Sequence, residues 1–193
     1  MDYAIKSSRD YGGKPWERRG IQESEAATVD LGLQEGTIMS SEQHMRQALA
    51  LARANIKAGG RPFGAVLVYQ GQVIARAVNE IHSTQDPTCH AEMQAIRQAS
   101  RVLGRPDLDG CEIYASSHPC PMCLAAMHLC GIHQAWFAYS NDEGEPYGLS
   151  TADVYAQMAR PPLQQEVVLR PLKPADEEGL YAQWQAKQAD RTS

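Results

Sequence analysis

The sequence predicts an α/β domain in which helices cover both faces of a mixed sheet of about five strands. Two observations support this fold class. Helix-like and strand-like segments alternate after an opening hairpin, an order that is typical of layered α/β domains. Hydrophobic residues make up 43% and charged residues 21% of the 193 residues, which is ordinary usage for one globular domain.

The domain is predicted to begin near residue 40 with a helix. Ser40 and Gln43 form a capping-box pattern, and apolar residues then recur at helical spacing until Gly59 and Gly60 end the segment. Residues 1–39 mix Gly, Lys, Arg, Glu and Ser without sustained periodicity. We therefore expect an N-terminal extension over residues 1–39 and the folded domain over residues 40–193.

The remaining elements follow in alternation. Two apolar runs around Gln70 and Gly71 predict a hairpin of residues 63–69 and 73–78. Later segments predict helices at 90–102, from 119 or 121 to about 130, at 152–158 and at 174–187, and strands at 111–115, 134–139 and 165–169.

Charge and hydropathy narrow the classes of partner. A net charge of −5 argues against tight, sequence-independent binding of nucleic acid, which requires clustered Lys and Arg. The sequence lacks an apolar run of roughly 18 residues, the length needed to cross a bilayer, and residues 1–20 are polar and charged. We therefore expect a cytoplasmic protein that binds no membrane.

A metal site is indicated by two short segments that each stand at the predicted start of a helix. One contains His90, and the other contains Cys120 and Cys123 in the spacing Cys-Pro-Met-Cys. The amides and macrodipole of a helix N-terminus favour negative charge, so both cysteines should bind zinc as thiolates. Three protein ligands leave the fourth tetrahedral position to a water molecule, which zinc activates as a nucleophile by lowering its pKa.

Glu92 is the predicted catalytic acid and base. It lies two residues after His90, so its carboxylate can move protons without serving as a ligand. A His-x-Glu segment followed by Pro-Cys-x-x-Cys is the signature of zinc deaminases that attack an aminated ring carbon. The sequence thus predicts a zinc-dependent hydrolytic deaminase that releases ammonia from an amino-substituted nucleobase.

Two other interpretations of these residues remain open. A closed structural zinc site would need a fourth protein ligand, and six residues could supply it: Cys89, Cys111, Cys130, His118, His128 and His133. A thioredoxin-like dithiol is a weaker alternative, because it gives His90 and Glu92 no role.

The stretch from Gly60 to Tyr139 resembles the cytidine deaminase superfamily, and within it the bacterial guanine deaminases and their nucleoside-deaminase relatives. The resemblance rests on Asn79 and on the segments 61–66, 86–92 and 118–126. It implies a three-layer α/β/α fold with a five-stranded mixed sheet, and commonly a homodimer whose C-terminal segments help to close the site. It also implies that Asn79 hydrogen-bonds the substrate ring, that Phe63 lines the pocket and that the Ala91 amide contacts the substrate.

The sequence departs from the guanine deaminases at two places that bear on the substrate. Those proteins carry two acids after a Gly-Phe pair, whereas here residues 148–153 offer Asp153 alone, in a shifted register. They also carry an acid before the Pro-Cys pair, where this chain has His118. We include both His118 and Asp153 among the candidate substrate-binding residues.

Guanine is therefore the first substrate to consider, with cytosine, a nucleoside or another aminated heterocycle behind it. A tRNA adenosine deaminase shares the metal motif but must bind RNA, which the acidic balance disfavours. A non-catalytic binding protein on the same fold is the third alternative.

Overall fold

The computed structural model describes residues 39–189 and shows helices on both faces of a mixed sheet. The predicted extension, apart from residue 39, lies outside the described residues, so its assignment stays a prediction. The described helices are α1 (Ser41–Lys57), α2 (Ile81–Thr84), α3 (Ala91–Leu103), α4 (Pro121–Leu129), α5 (Asn141–Gly144), α6 (Ala152–Met158) and α7 (Leu180–Ala189). The strands are β1 (Gly64–Tyr69), β2 (Gln72–Val78), β3 (Cys111–Ser117) and β4 (Gln134–Tyr139), and short 3-10 turns cover Glu145–Tyr147 and Pro162–Gln164.

The sheet has the strand order β2-β1-β3-β4. β1 is antiparallel to both β2 and β3, whereas β3 and β4 run parallel. The parallel pair is joined by α4, as a crossover connection requires. Because β1 runs opposite to β3, the start of β1 lies beside the end of β3, and the register pairs Ala65 with Ala115.

Alternating residues of β1 face the two helical layers. Val66 and Val68 pack with Ala48 of α1 on one face, whereas Ala65 and Leu67 pack on the other face with side chains of α3 and α4. This confirms the predicted class, an α/β domain with helices on both faces of a mixed sheet.

The opening helix and hairpin form as predicted. Ser40 accepts a hydrogen bond from the Gln43 amide and the Gln43 side chain bonds back to Ser40, which completes the capping box. Within residues 39–189, no helix is both long and apolar enough to span a membrane.

Two C-terminal elements correct the sequence prediction. Residues 165–169 form no strand, so the sheet in residues 39–189 has four strands instead of the expected five. The amide and carboxylate of Glu166 instead bond the Gln157 side chain of α6. The last helix begins at Leu180 and not at Pro174, because a turn at Pro174 and a left-handed Gly179 precede it.

Candidate metal centre and active site

His90 and Cys120 occupy equivalent positions at the starts of two neighbouring helices. His90 is the N-cap residue of α3, and Cys120 is the N-cap residue of α4, whose first residue is Pro121. Neither side chain caps its own helix, so both remain available for other contacts. The two helices share the same hydrophobic core on one face of the sheet, which brings their N-termini together.

The three predicted metal ligands form a compact triangle. His90 Nδ1 lies 3.5 Å from Cys120 Sγ and 3.6 Å from Cys123 Sγ, and the two sulfurs are 3.5 Å apart. A tetrahedral zinc with Zn–S of about 2.3 Å and Zn–N of about 2.0–2.1 Å separates such donors by roughly 3.5–3.8 Å. The donor types and their spacing therefore fit a zinc ion, with one coordination position left for a small molecule.

The two thiols and the imidazole influence one another's ionisation. The hydrogen bond with Cys123 lowers the pKa of Cys120 to about 4, and a bond to His90 adds to this effect. The same thiol pair, together with burial, raises the pKa of Cys123. The Cys120 interaction also raises the pKa of His90. The lowered pKa favours the thiolate form of Cys120, which is the form that binds zinc.

Glu92 is buried beside this triangle. Its side chain is 7% exposed, in the first turn of α3. Burial raises the pKa of Glu92 above the ordinary carboxyl value, and the Cys120 thiolate adds to the shift. A carboxyl group whose pKa lies closer to neutral pH can both accept and release a proton in one reaction cycle.

A hydrogen-bonded clamp fixes the loop that carries His90. Asp86 accepts hydrogen bonds from the amide and hydroxyl of Thr88, at 2.7 Å each, and from the Cys89 thiol at 3.3 Å. Arg97 of α3 donates to the Thr88 hydroxyl at 3.1 Å. The Thr88 carbonyl in turn accepts from the His90 amide at 2.8 Å, so the clamp reaches the ligand itself.

Three of the predicted substrate-binding residues lie on segments that border the triangle. Asn79 is buried. Its side-chain oxygen accepts a hydrogen bond from the backbone amide of Ile81, and its backbone amide donates to the Phe63 carbonyl. Phe63 is half-buried against the core that contains Ala91 and both thiol ligands. Ala91 is buried as the first residue of α3.

Phe63 also lines a cavity of about 520 Å³ beside α1. Its other walls include Leu49 and Ala52 of α1, Ser116 and Ser117 of β3, and Tyr147. Among the described residues, the four predicted ligand and catalytic side chains do not line this cavity.

His118 and Asp153 have different surroundings. His118 Nδ1 donates to the Pro119 carbonyl at 3.0 Å, one residue before Cys120, and its ring packs against Phe137. Asp153 is exposed in the first turn of α6, and across residues 39–189 its carboxylate makes no hydrogen bond or ion pair. The structure therefore leaves the role of Asp153 as a prediction.

Sequence reasoning missed Tyr155 of α6. Its hydroxyl donates to the Pro119 carbonyl at 2.6 Å, and its ring meets the His118 ring edge-on at 5.4 Å. The hydrogen bond joins residues 36 apart, and Tyr155 stands among exposed neighbours, so no local pattern indicates these contacts.

The chain is similar in sequence to known deaminases. Residues 39–139 match the family model described as the cytidine and deoxycytidylate deaminase zinc-binding region. The chain is 38% identical to a guanine deaminase of Bacillus subtilis over 124 residues, which cover 64% of this chain and 80% of that protein. It is also 39% identical to a tRNA-specific adenosine deaminase of Aquifex aeolicus over 52% of this chain and 66% of that protein.

The chain is also similar to solved structures of guanine deaminases. The crystal structure of guanine deaminase from Bacillus subtilis superposes with a TM-score of 0.70 at 32% identity, covering 78% of this chain and 95% of that one. Guanine deaminase from Nitrosomonas europaea gives a TM-score of 0.54 at 32% identity, covering 58% and 65%. With the family model matched across the metal-ligand segments, the chain belongs to the cytidine and deoxycytidylate deaminase family and is a hydrolytic deaminase that acts on C–N bonds.

Proposed function

We propose that this protein is a zinc-dependent deaminase of an amino-substituted nucleobase, with guanine as the first substrate. The observation that carries the proposal is the triangle of His90, Cys120 and Cys123 with the buried Glu92 beside it. The choice of guanine rests on the guanine deaminases among the relatives, one of which aligns over 80% of its length. His118 and Asp153 depart from the residue pattern of those proteins. Any difference in substrate is therefore expected to arise at these two residues.

The proposed chemistry divides between the metal and the chain. Bound zinc would supply a Lewis acid that makes a water molecule nucleophilic at neutral pH. Glu92 would take the two protons of the attacking water in turn, passing the first to the ring nitrogen and the second to the departing amine. Its burial supports this role, because a raised pKa lets one carboxyl group serve as base and then as acid.

The remaining predicted residues would bind and orient the base. Asn79 is buried, and we assign its side-chain amide the hydrogen bond to the substrate ring. Phe63 would pack against the ring and the Ala91 amide would donate to it, because Ala91 begins α3 and its amide is free of intrahelical partners. His118 and Asp153 would set the choice among aminated bases.

The test is ammonia release from guanine, cytosine, adenine, their nucleosides and ammeline by the purified full-length chain, with zinc per chain measured in parallel. Glu92→Gln keeps the side-chain volume but cannot accept the proton, so we expect bound zinc and a loss of turnover of at least about a hundredfold. Glu112→Gln is the matched control, since Glu112 is half-buried on β3 and bonds Tyr114. Zinc-loaded wild-type protein that deaminates none of these compounds would overturn the proposal.

A tRNA adenosine deaminase is the second candidate, because several relatives carry that activity in their names. The net charge of −5 speaks against it. Inosine formation in tRNA, with RNA binding that weakens steeply as salt rises, would favour this candidate over the free base. A protein that binds base analogues equally well with or without Glu92, and turns nothing over, would instead be a binding module.

We further propose that the protein is a homodimer. Every residue of the edge strand β4 is exposed, including Trp136, Phe137 and Tyr139 at 45–50%, and further apolar side chains are exposed within residues 163–184. Large exposed apolar side chains grouped on one strand are typical of an interaction site. Sedimentation analysis at micromolar concentration should give twice the 21.2 kDa mass of one chain, and a monomer mass would contradict the proposal.

We also propose that the protein is cytoplasmic. All five cysteines of the chain are free thiols in the structure, as expected for a reducing compartment. Fractionation of the source cells would test it.

A further inference from the structure

Tyr155 is the residue through which α6 contacts the metal-ligand segment. α6 packs against α4, and most of its side chains are exposed, whereas Tyr155 is half-buried. The helix lies beyond residues 39–139, which the family model covers. A contact between this segment and the ligand loop is therefore a feature of this chain that the family match does not describe.

The hydroxyl of Tyr155 bonds the peptide group that precedes a predicted ligand. It donates to the Pro119 carbonyl at 2.6 Å, and that carbonyl belongs to the planar peptide whose nitrogen is the Cys120 amide. His118 Nδ1 donates to the same oxygen at 3.0 Å, so both acceptor positions of the carbonyl are filled. Fixing this peptide plane also fixes the Cα atom of Cys120, from which the ligand side chain extends.

The rings around this peptide form a packed group. The His118 ring lies 4.7 Å from the ring of Phe137 on β4 and 5.4 Å from that of Tyr155, with edge-on geometry in both cases. The His118 amide also donates to the Tyr139 carbonyl at 2.8 Å. Residues 118–119 are thus held from the sheet on one side and from α6 on the other.

We propose that Tyr155 is a positioning residue for the metal site, which acts by holding the Pro119–Cys120 peptide so that the Cys120 sulfur stays in the triangle with His90 and Cys123. This inference rests on the proposed zinc-dependent function. Removing the hydroxyl leaves the Pro119 carbonyl with the His118 bond alone and loosens the peptide plane, so the cost falls on metal binding and on turnover more than on substrate binding. Partners of metal ligands typically contribute about ten- to a hundredfold to metal affinity or activity.

The experiment compares full-length Tyr155→Phe with wild type and with Tyr69→Phe. Tyr69 is the matched control, because it is also half-buried and its hydroxyl also bonds one neighbour, but it lies at the end of β1 away from the metal site. Zinc affinity is measured by competition with a chromophoric chelator. The absorption of the cobalt-substituted protein, kcat, KM and the Tm of the metal-free protein are recorded for each variant.

We expect Tyr155→Phe to weaken zinc binding by about tenfold or more, to change the thiolate-to-cobalt absorption band and to lower kcat with little change in KM. Tyr69→Phe should match wild type in zinc affinity, in the cobalt absorption band and in kcat and KM. A lower Tm of metal-free Tyr155→Phe with wild-type zinc affinity and cobalt spectrum would overturn the inference and leave Tyr155 a packing residue. Wild-type protein that binds neither zinc nor cobalt would overturn the proposed function itself. Equal zinc binding by wild type and Tyr155→Phe would overturn only the role of Tyr155.

Discussion

His90 Nδ1 lies 3.5 Å from the Sγ atom of Cys120, although the two residues are 30 positions apart in the chain. Each stands at the N-terminus of a helix, and the shared core under α3 and α4 sets the distance between them. The site therefore depends on packing between two elements as much as on the ligands themselves.

Cys123→Ser should abolish tight zinc binding. A serine hydroxyl fits the space but does not ionise near neutral pH, so the zinc would lose a thiolate ligand. We expect zinc per chain, measured by plasma emission spectrometry after dialysis, to fall from near one to near zero.

Cys130→Ser is the control for this change, because Cys130 caps the same helix and its thiol donates to the Met127 carbonyl. It should keep the wild-type zinc content. If Cys123→Ser retained a full equivalent of zinc, the ligand set would be wrong.

The ligand segments could be predicted from sequence because their signals are local. His90 and Glu92 lie within one turn of a helix start, and Cys120 and Cys123 within one turn of the next, so spacing alone places them. The capping box at Ser40 and the two-residue turn at Gln70 and Gly71 are local in the same sense, and both occur where predicted.

The errors fall where a tertiary partner decides the structure. The run Val167-Val168-Leu169 has high strand propensity, yet it makes no sheet pairing in the described residues and stays exposed. Tyr155 could not be chosen from its surroundings in the sequence, because its role depends on α6 packing against α4. Propensity describes one segment at a time, whereas both outcomes depend on a second segment.

Arg97→Met should loosen the loop that carries His90. The guanidinium donates to Thr88 at 3.1 Å and to Gln94 at 2.8 Å, and the Thr88 carbonyl holds the His90 amide. Methionine keeps most of the aliphatic stem but cannot make these bonds. We expect kcat/KM and zinc affinity each to fall by about tenfold.

Arg101→Met, one turn further along α3 at an exposed position, is the control and should have no effect on either quantity. Equal behaviour of the two variants would show that the clamp contributes nothing to the site.

Gly64→Ala should destabilise the fold at the start of β1. A Cβ atom at this position would lie 2.5 Å from the Ala48 carbonyl oxygen and 2.7 Å from the Ala52 nitrogen, both of which are backbone atoms of α1. The helix would have to move away from the sheet, at a cost of about 1–3 kcal/mol in the free energy of unfolding. Urea denaturation followed by circular dichroism measures this directly.

Gly144→Ala provides the comparison, since its Cβ would meet its nearest neighbour at 3.4 Å and its backbone is helical. It should change stability by less than about 0.5 kcal/mol. A Gly64→Ala protein as stable as Gly144→Ala would mean that α1 does not pack on β1 as closely as the structure indicates.

His44→Phe should make the protein more resistant to mild acid. His44 is 3% exposed in α1 and, among the described residues, neither ring nitrogen has a hydrogen-bond partner. Burial lowers the pKa of His44 below 6.5, and Arg76 adds to the shift while Glu112 opposes it. Below pH 6.5 the unfolded chain therefore binds a proton that the folded chain does not, and stability falls until the folded pKa is reached.

The free energy of unfolding of wild type should accordingly decrease between pH 7.5 and pH 5.5, and that of His44→Phe should decrease less. At pH 7.5 the variant should be at least as stable as wild type, because it no longer buries unpaired polar atoms and phenylalanine preserves the ring contact with Tyr114. His82→Phe alters an exposed histidine on α2 and should keep the wild-type pH dependence. Parallel pH profiles of the unfolding free energy for wild type and His44→Phe would contradict this prediction. They would show that His44 has the same pKa in the folded and unfolded chains and does not make the fold sensitive to acid.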